Sequence, residues 1–149
     1  MIRIIEVSDS FSHFLEPIKE YEKRLKWIEI HKIKPENKWD SKYIIKNESL
    51  KIKKFLEKDK WFNIYLDILW EELDTMKFYE FIEKIYQENS KINIIIWGAY
   101  WIDLSILWNL INKKISLSKM TFPHSLALLL ILEQIYRIEN IKKNTWYHH

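Results

Sequence analysis

Five short apolar, β-branched runs punctuate the chain: Ile2 to Val7, Ile28 to Ile33, Phe62 to Leu66, Ile92 to Ile96 and Ile115 to Leu117. Runs of roughly four to eight such residues bounded by polar segments read as strands, and unbroken hydrophobicity marks strands buried on both faces. Between them the apolar positions recur with helical spacing, predicting helices over Phe11 to Lys26, Ser49 to Glu57, Thr75 to Gln87 and Leu104 to Ile111. A last, strongly apolar helix follows Pro123 and runs to about Asn140. Asp74 and Thr75 suit a helix start, and Pro123 suits the first helical turn, where its missing N–H costs nothing. The stretch from Pro35 to Asp40 reads as the longest surface loop. Strands alternating with helices in this way predict an α/β fold, a mostly parallel sheet with helices on both faces.

Length makes this one domain over residues 1–149, with neither an internal repeat nor a low-complexity linker. Cysteine is absent, which excludes disulfides, a thiolate nucleophile and a cysteine zinc site. No spacing of histidines and carboxylates argues for a metal. The apolar stretches are too short to span a bilayer and the N-terminus does not read as a signal peptide, so a cytoplasmic protein with no membrane partner is expected. A net charge of +3 permits a nucleic-acid partner without requiring one.

In a parallel α/β sheet, ligands bind where the loops leave the carboxyl ends of the strands. Three loops qualify: Asp67 to Leu73, Trp97 to Asp103, and Ser118 to His124. The third joins small hydroxyls to a proline-started helix, so its backbone amides could face an adenosine or a carboxylate. A plain strand, turn and capped helix accounts for the same residues.

Glycine is nearly missing from these loops and tryptophan stands in them. The chain has eight tryptophans and one glycine, Gly98, where average usage supplies about ten glycines. Trp70, Trp97 and Trp101 fall in the first two loops, and Trp146 precedes Tyr147 near the C-terminus.

The run from Ile115 to Tyr136, ISLSKMTFPHSLALLLILEQIY, followed by Arg137 and closed by Tyr147-His148, resembles the bacterial large-subunit ribosomal RNA methyltransferase H family of the SPOUT class. The likeness is close over residues 92–149, fair over 62–91, and weak but collinear before that, where Glu20-Tyr21-Glu22-Lys23-Arg24-Leu25 also fits. The family's Ile-Gly-Gly-x-x-Gly loop reads Ile96-Trp97-Gly98-Ala99-Tyr100-Trp101 here. Its Leu-(Asp/Glu)-x-x-Gly turn reads Leu66-Asp67-Ile68-Leu69-Trp70. At three diagnostic glycines the replacement is tryptophan each time. A codon read as glycine by some bacteria and as tryptophan under another code, UGA, explains that regularity; converting every tryptophan would raise glycine from one to nine. UGG codons at positions 70, 97 and 101 would exclude it.

The resemblance implies a C-terminal trefoil knot within about residues 62–149 that forms a pocket for S-adenosylmethionine. Cofactor contacts would fall on Leu66, Trp97, Gly98, Trp101, Leu117, Ser118, Lys119, Met120, Thr121 and Phe122. An indole at 97 or 101 would fill the slot. The implied reaction is methyl transfer to N3 of a pseudouridine in a 23S rRNA stem-loop of the assembled ribosome. His124, Tyr147 and His148 are the candidates for handling the imide proton, and Arg137 for an RNA or dimer contact. Fixing its loop is a sufficient role for His124, a terminal Tyr-His-His ordinarily frays, and a helical pair with Glu133 suffices to explain Arg137. Lys113, Lys114, Lys119, Lys142 and Lys143 could rim the site for phosphate. The final helix is apolar on more than one face, which agrees with the family's homodimer. The alternative is a dimeric pseudoenzyme that still binds ribosome or RNA, with genuine tryptophans in the cofactor slot. A nucleotide-binding or structural α/β protein of unrelated role is the third reading.

Overall fold

The computed structural model describes residues 1–9, 13–97 and 100–145. Five strands form one sheet in the order β2-β1-β4-β3-β5, and every pairing is parallel. The strands are β1 (Ile2–Val7), β2 (Ile28–Ile33), β3 (Phe62–Leu66), β4 (Ile92–Ile96) and β5 (Lys113–Ile115). The helices are α1 (Leu15–Arg24), α2 (Ser41–Leu56), α3 (Thr75–Glu88), α4 (Leu104–Leu107) and α5 (His124–Lys142). The α/β reading from sequence is what the chain adopts.

Burial explains the strand sequences. All five residues of β4 are buried, and β1 is buried but for Arg3, so the isoleucines of both central strands face helices on either side. One helical layer joins α1 and α3 to α5, which lies over β1 and β4; the other joins α2 to α4. Asn63 and Asn93 sit opposite each other in β3 and β4. The Asn93 amide donates to Asn63 Oδ1 at 2.7 Å, and the Asn63 amide donates to the Leu110 carbonyl at 2.9 Å. That pair fastens the turn leading into β5.

The helix starts follow local chemistry. Asp74 accepts the Lys77 N–H at 2.8 Å as the cap of α3, and Asp40 accepts the Lys42 N–H at 3.0 Å as the cap of α2. α2 therefore begins eight residues before the expected Ser49, because Asp40 caps a first turn whose polar residues hide the period. Three further boundaries differ. α4 stops at Leu107 rather than Ile111, since Asn63 captures the following turn. β5 pairs through Lys113–Ile115 rather than Ile115–Leu117, because only its last residue is buried on this edge. Pro123 is the residue before α5 rather than in its first turn, with ψ 145° and extended backbone. Residues 34–40 form the expected loop.

Candidate functional site

The first and third of the expected loops meet past the carboxyl ends of β3 and β5. Asp67 orders the first: its Oδ1 accepts the Leu69 N–H at 3.0 Å, and its own N–H donates to the Ile115 carbonyl at 2.8 Å. The third loop returns along the first. Ser116 bridges to Glu72 in parallel fashion, and its N–H donates to the Glu71 carbonyl at 2.9 Å. Ser118 then tightens the turn, its hydroxyl accepting the Met120 N–H at 3.0 Å.

A cavity of about 420 Å³ opens between these segments, lined by Leu73, Asp74, Thr75, Leu117, Phe122 and the inner side of α5. Its size and its apolar walls with a few polar groups are those of a small-molecule pocket. Leu117 and Phe122 were expected there. Leu66 is buried at the end of β3, and Ser118 shapes the loop from inside. Lys119, Met120 and Thr121 point outward; Met120 is 71% exposed and adds nothing to the wall.

The second loop carries the tryptophans. Trp97 is buried, meets Tyr65 edge-on at 6.4 Å between ring centroids, and stacks on Trp101 at 5.4 Å with planes 7° apart. Trp101 has φ 69°, in the left-handed region where glycine is the ordinary residue. Burial and the neighbouring Asp67 push the Tyr65 hydroxyl well above its usual value, so it stays protonated. Trp70 is half exposed, with the Lys114 ammonium 4.5 Å from its ring centroid; its backbone does not require glycine. Gly98 lies outside the described residues, as do Tyr147 and His148.

His124, the first residue of α5, lies in a second cavity of about 220 Å³ with Ser8, Asp9, Glu36, Glu48 and Tyr100. This cavity lies past the carboxyl ends of β1 and β2, lined by Val7, Ser8 and Asp9 from the one and Pro35, Glu36 and Asn37 from the other, with Tyr100 reaching it from beyond β4. It borders the switch point between β1 and β4, whose following connections leave in opposite directions. The burial of Glu48 raises its carboxyl above the ordinary value, against the opposing pull of the Glu36 N–H and Lys51. Sequence reasoning missed Glu48, although a signal existed: it occupies the stripe Ile44, Glu48, Ile52, Leu56 at fourfold spacing, an acid on the apolar face.

Arg137 is not brought to His124 within this protomer. Thirteen residues of helix separate them, about 20 Å along the axis. Arg137 instead binds Glu133 at 2.6 Å, the helical pair its spacing suggests. Lys142 is engaged with Glu83 and Lys143 with Glu139, both far down α5; Lys114, over the Trp70 ring, and Lys119 flank the first and third loops, whereas Lys113 opens β5 beside Phe62 and the C-terminal end of α3. No metal-competent cluster of side chains occurs among the described residues, and no described helix is long and apolar enough to cross a membrane.

A parallel sheet with cavities past the carboxyl ends of its strands has the architecture of the α/β proteins that hold ligands there. The family model described as a predicted SPOUT methyltransferase matches residues 1–148. Ribosomal RNA large subunit methyltransferase H of Fusobacterium nucleatum is 35% identical over 136 residues, covering 88% of this chain and 87% of that protein. The protein of the same name in Caldicellulosiruptor saccharolyticus is 32% identical over 155 residues and 99% of both chains. A probable methylase family protein from Haemophilus influenzae shares the fold, with a TM-score of 0.59 at 14% identity over 96% of this chain and 68% of that one. The chain belongs to the ribosomal RNA large subunit methyltransferase H family of SPOUT methyltransferases.

Proposed function

We propose that this chain transfers a methyl group from S-adenosylmethionine to N3 of a pseudouridine in 23S rRNA of the assembled ribosome, as a cytoplasmic homodimer. The cavity between the β3 and β5 loops carries the reading. Leu117 and Phe122 offer an apolar slot for an adenine, and Thr75 and Gln134, themselves hydrogen-bonded at 2.9 Å, offer polar partners. The C-terminal segment supports a knot: after the edge strand β5 the chain pairs with the β3 loop, then returns as α5 to cover β1 and β4. The relatives' name supplies the ribosomal RNA substrate.

The bound cofactor would supply an electrophilic methyl. The chain's share is to orient the base, exclude water and take the imide proton, with no metal needed. His124, which heads α5 and lines the second cavity, is the candidate we assign to that proton. The β5 side of the slot has the groups for the cofactor; on the β4 side Trp97 and Trp101 stack on each other at positions where the resemblance calls for glycine. Glycine at 97 and 101 in the protein the cell makes removes the conflict. Literal tryptophans favour a second reading on that same observation, a dimeric pseudoenzyme that binds ribosome or RNA.

Calorimetric titration of S-adenosylmethionine into Trp97→Gly, Trp101→Gly protein, with label transfer to pseudouridylated ribosomes, tests this. Binding and methylation should appear or strengthen in the double variant. Neither gaining over the unaltered chain would refute the account of the slot.

A further inference from the structure

The cavity beside His124 contains two buried polar atoms with no partner. Glu48 is 2% exposed and Ser8 is 7% exposed. The Glu36 N–H donates to Glu48 Oε1 at 3.0 Å, and Lys51 holds the Glu36 carboxylate at 2.5 Å. Glu48 Oε2 and the Ser8 hydroxyl have no hydrogen-bond partner among the described residues. Leaving a buried polar atom unpaired costs about 1–3 kcal/mol, more for a charged one, so such atoms are rare without a reason. Ser8 and Glu48 both belong to the lining of the cavity that His124 also lines, so a small shift of either side chain turns these atoms to its interior.

We propose that Glu48 and Ser8 read the target base and select pseudouridine over uridine by binding its N1–H and neighbouring C2 carbonyl. The proposal rests on the reaction assigned above. Methylation at N3 requires that the N3 edge face the methyl donor, so N3–H is not available to the pocket. In uridine the other ring nitrogen, N1, is bonded to the ribose and carries no hydrogen. Pseudouridine is joined through carbon, which leaves N1–H free beside a carbonyl. Glu48 Oε2 is the acceptor for that N–H, and the Ser8 hydroxyl is a donor for the carbonyl. A cavity of about 220 Å³, below the roughly 300–1,000 Å³ of pockets for drug-sized ligands, suits one extruded ring.

Glu48→Gln is the discriminating substitution. The Glu36 N–H keeps the amide oxygen at the Oε1 position, so the NH₂ group replaces Oε2 and opposes a donor with a donor. Methyl transfer would be measured in the Trp97→Gly, Trp101→Gly background on ribosomes carrying pseudouridine or uridine at the target. The background protein should prefer pseudouridine, and Glu48→Gln should shrink the ratio of the two kcat/KM values by about tenfold or more, because a site built for an N–H rejects what lacks it. Ser8→Ala should shrink it several-fold and carries the test if Glu48→Gln does not fold, which thermal melting will show. Equal losses on both ribosomes, or an unchanged ratio, would overturn the proposal while leaving the methyltransferase reading intact. No transfer to either ribosome by the background protein would sink that reading, and this one with it.

Discussion

Trp101 states the conflict in this chain at the level of one residue. A left-handed backbone costs a non-glycine residue about 1–2 kcal/mol, while an aromatic stack of the kind it makes with Trp97 returns about 0.5–1.5 kcal/mol. The two effects nearly cancel. Trp101→Gly should therefore leave stability within about 1 kcal/mol of the parent, whereas Trp101→Ala keeps the strained φ and loses the stack, costing about 1 kcal/mol more than glycine. Urea unfolding of the two variants decides it; alanine equal to glycine would mean the backbone at 101 does not need glycine. Glu48 is the opposite case, a residue whose environment opposes its charge. Its folded value is raised above the ordinary 4.5, so the folded state binds protons more tightly than the unfolded one. Its contribution to stability is fully present below 4.5 and is lost as pH rises through the raised value. The stability of Glu48→Gln relative to the parent should accordingly improve as pH rises from 4.5, read from urea midpoints, and a pH-independent difference would contradict the raised value. A group retained against stability is what a binding site is expected to hold. Its sequence neighbourhood gave only the interrupted stripe 44, 48, 52, 56, because the loops that bury it come from β1 and from residues 35–37, distant in the chain.

Elements were legible where the local pattern and the tertiary environment agreed. β1, β3 and β4 read correctly because strands covered on both faces are mostly apolar, and α3 read correctly because the Asp74 cap and its apolar face coincide. β5 was shifted because pairing with β3 is set by backbone contacts that its lysines do not advertise. α4 was overextended for a different reason: its last expected turn is held by a side chain from another strand. Asn63 holds the turn by its N–H to Asn112 Oδ1 at 2.7 Å, its carbonyl to the Asn112 N–H at 2.9 Å and its side-chain amide to the Leu110 carbonyl, while its Oδ1 accepts from Asn93 within the sheet. Asn63→Leu keeps volume but leaves the Asn93 amide and the Leu110 carbonyl unsatisfied, and should destabilise by about 2–4 kcal/mol. Because the turn feeds β5 and the loop beyond it, cofactor binding in the Trp97→Gly, Trp101→Gly background should weaken with it. A stable Asn63→Leu protein with unaltered binding would show that the turn is held by its apolar residues alone.

For the molecule as a whole, the question is what covers the edge at which these loops meet. Leu69 is 83% exposed and Met120 71% exposed, and Met76 stands near them at the start of α3. Leu126, Leu129 and Leu130 on α5 remain only half buried by their own domain. Apolar surface gathered around a cavity marks an interaction site more often than chance exposure. The same edge carries Lys114 and Lys119, which suits RNA phosphate, so the apolar part is the portion a second copy would cover. A dimer would also change what Arg137 can do, since about 20 Å of helix keeps it from His124 in its own protomer; a partner's His124 is not subject to that limit. Mass action gives a direct reading. If folding and pairing are coupled, each tenfold increase in protein concentration adds about 1.4 kcal/mol per dimer, which for a dimer of this chain raises Tm by about 2 °C. Tm measured over a hundredfold concentration range should climb by about 4 °C, with sedimentation giving twice the 18.5 kDa chain mass. A flat Tm and a monomer mass would remove the homodimer, and with it any role for Arg137 at a neighbouring site.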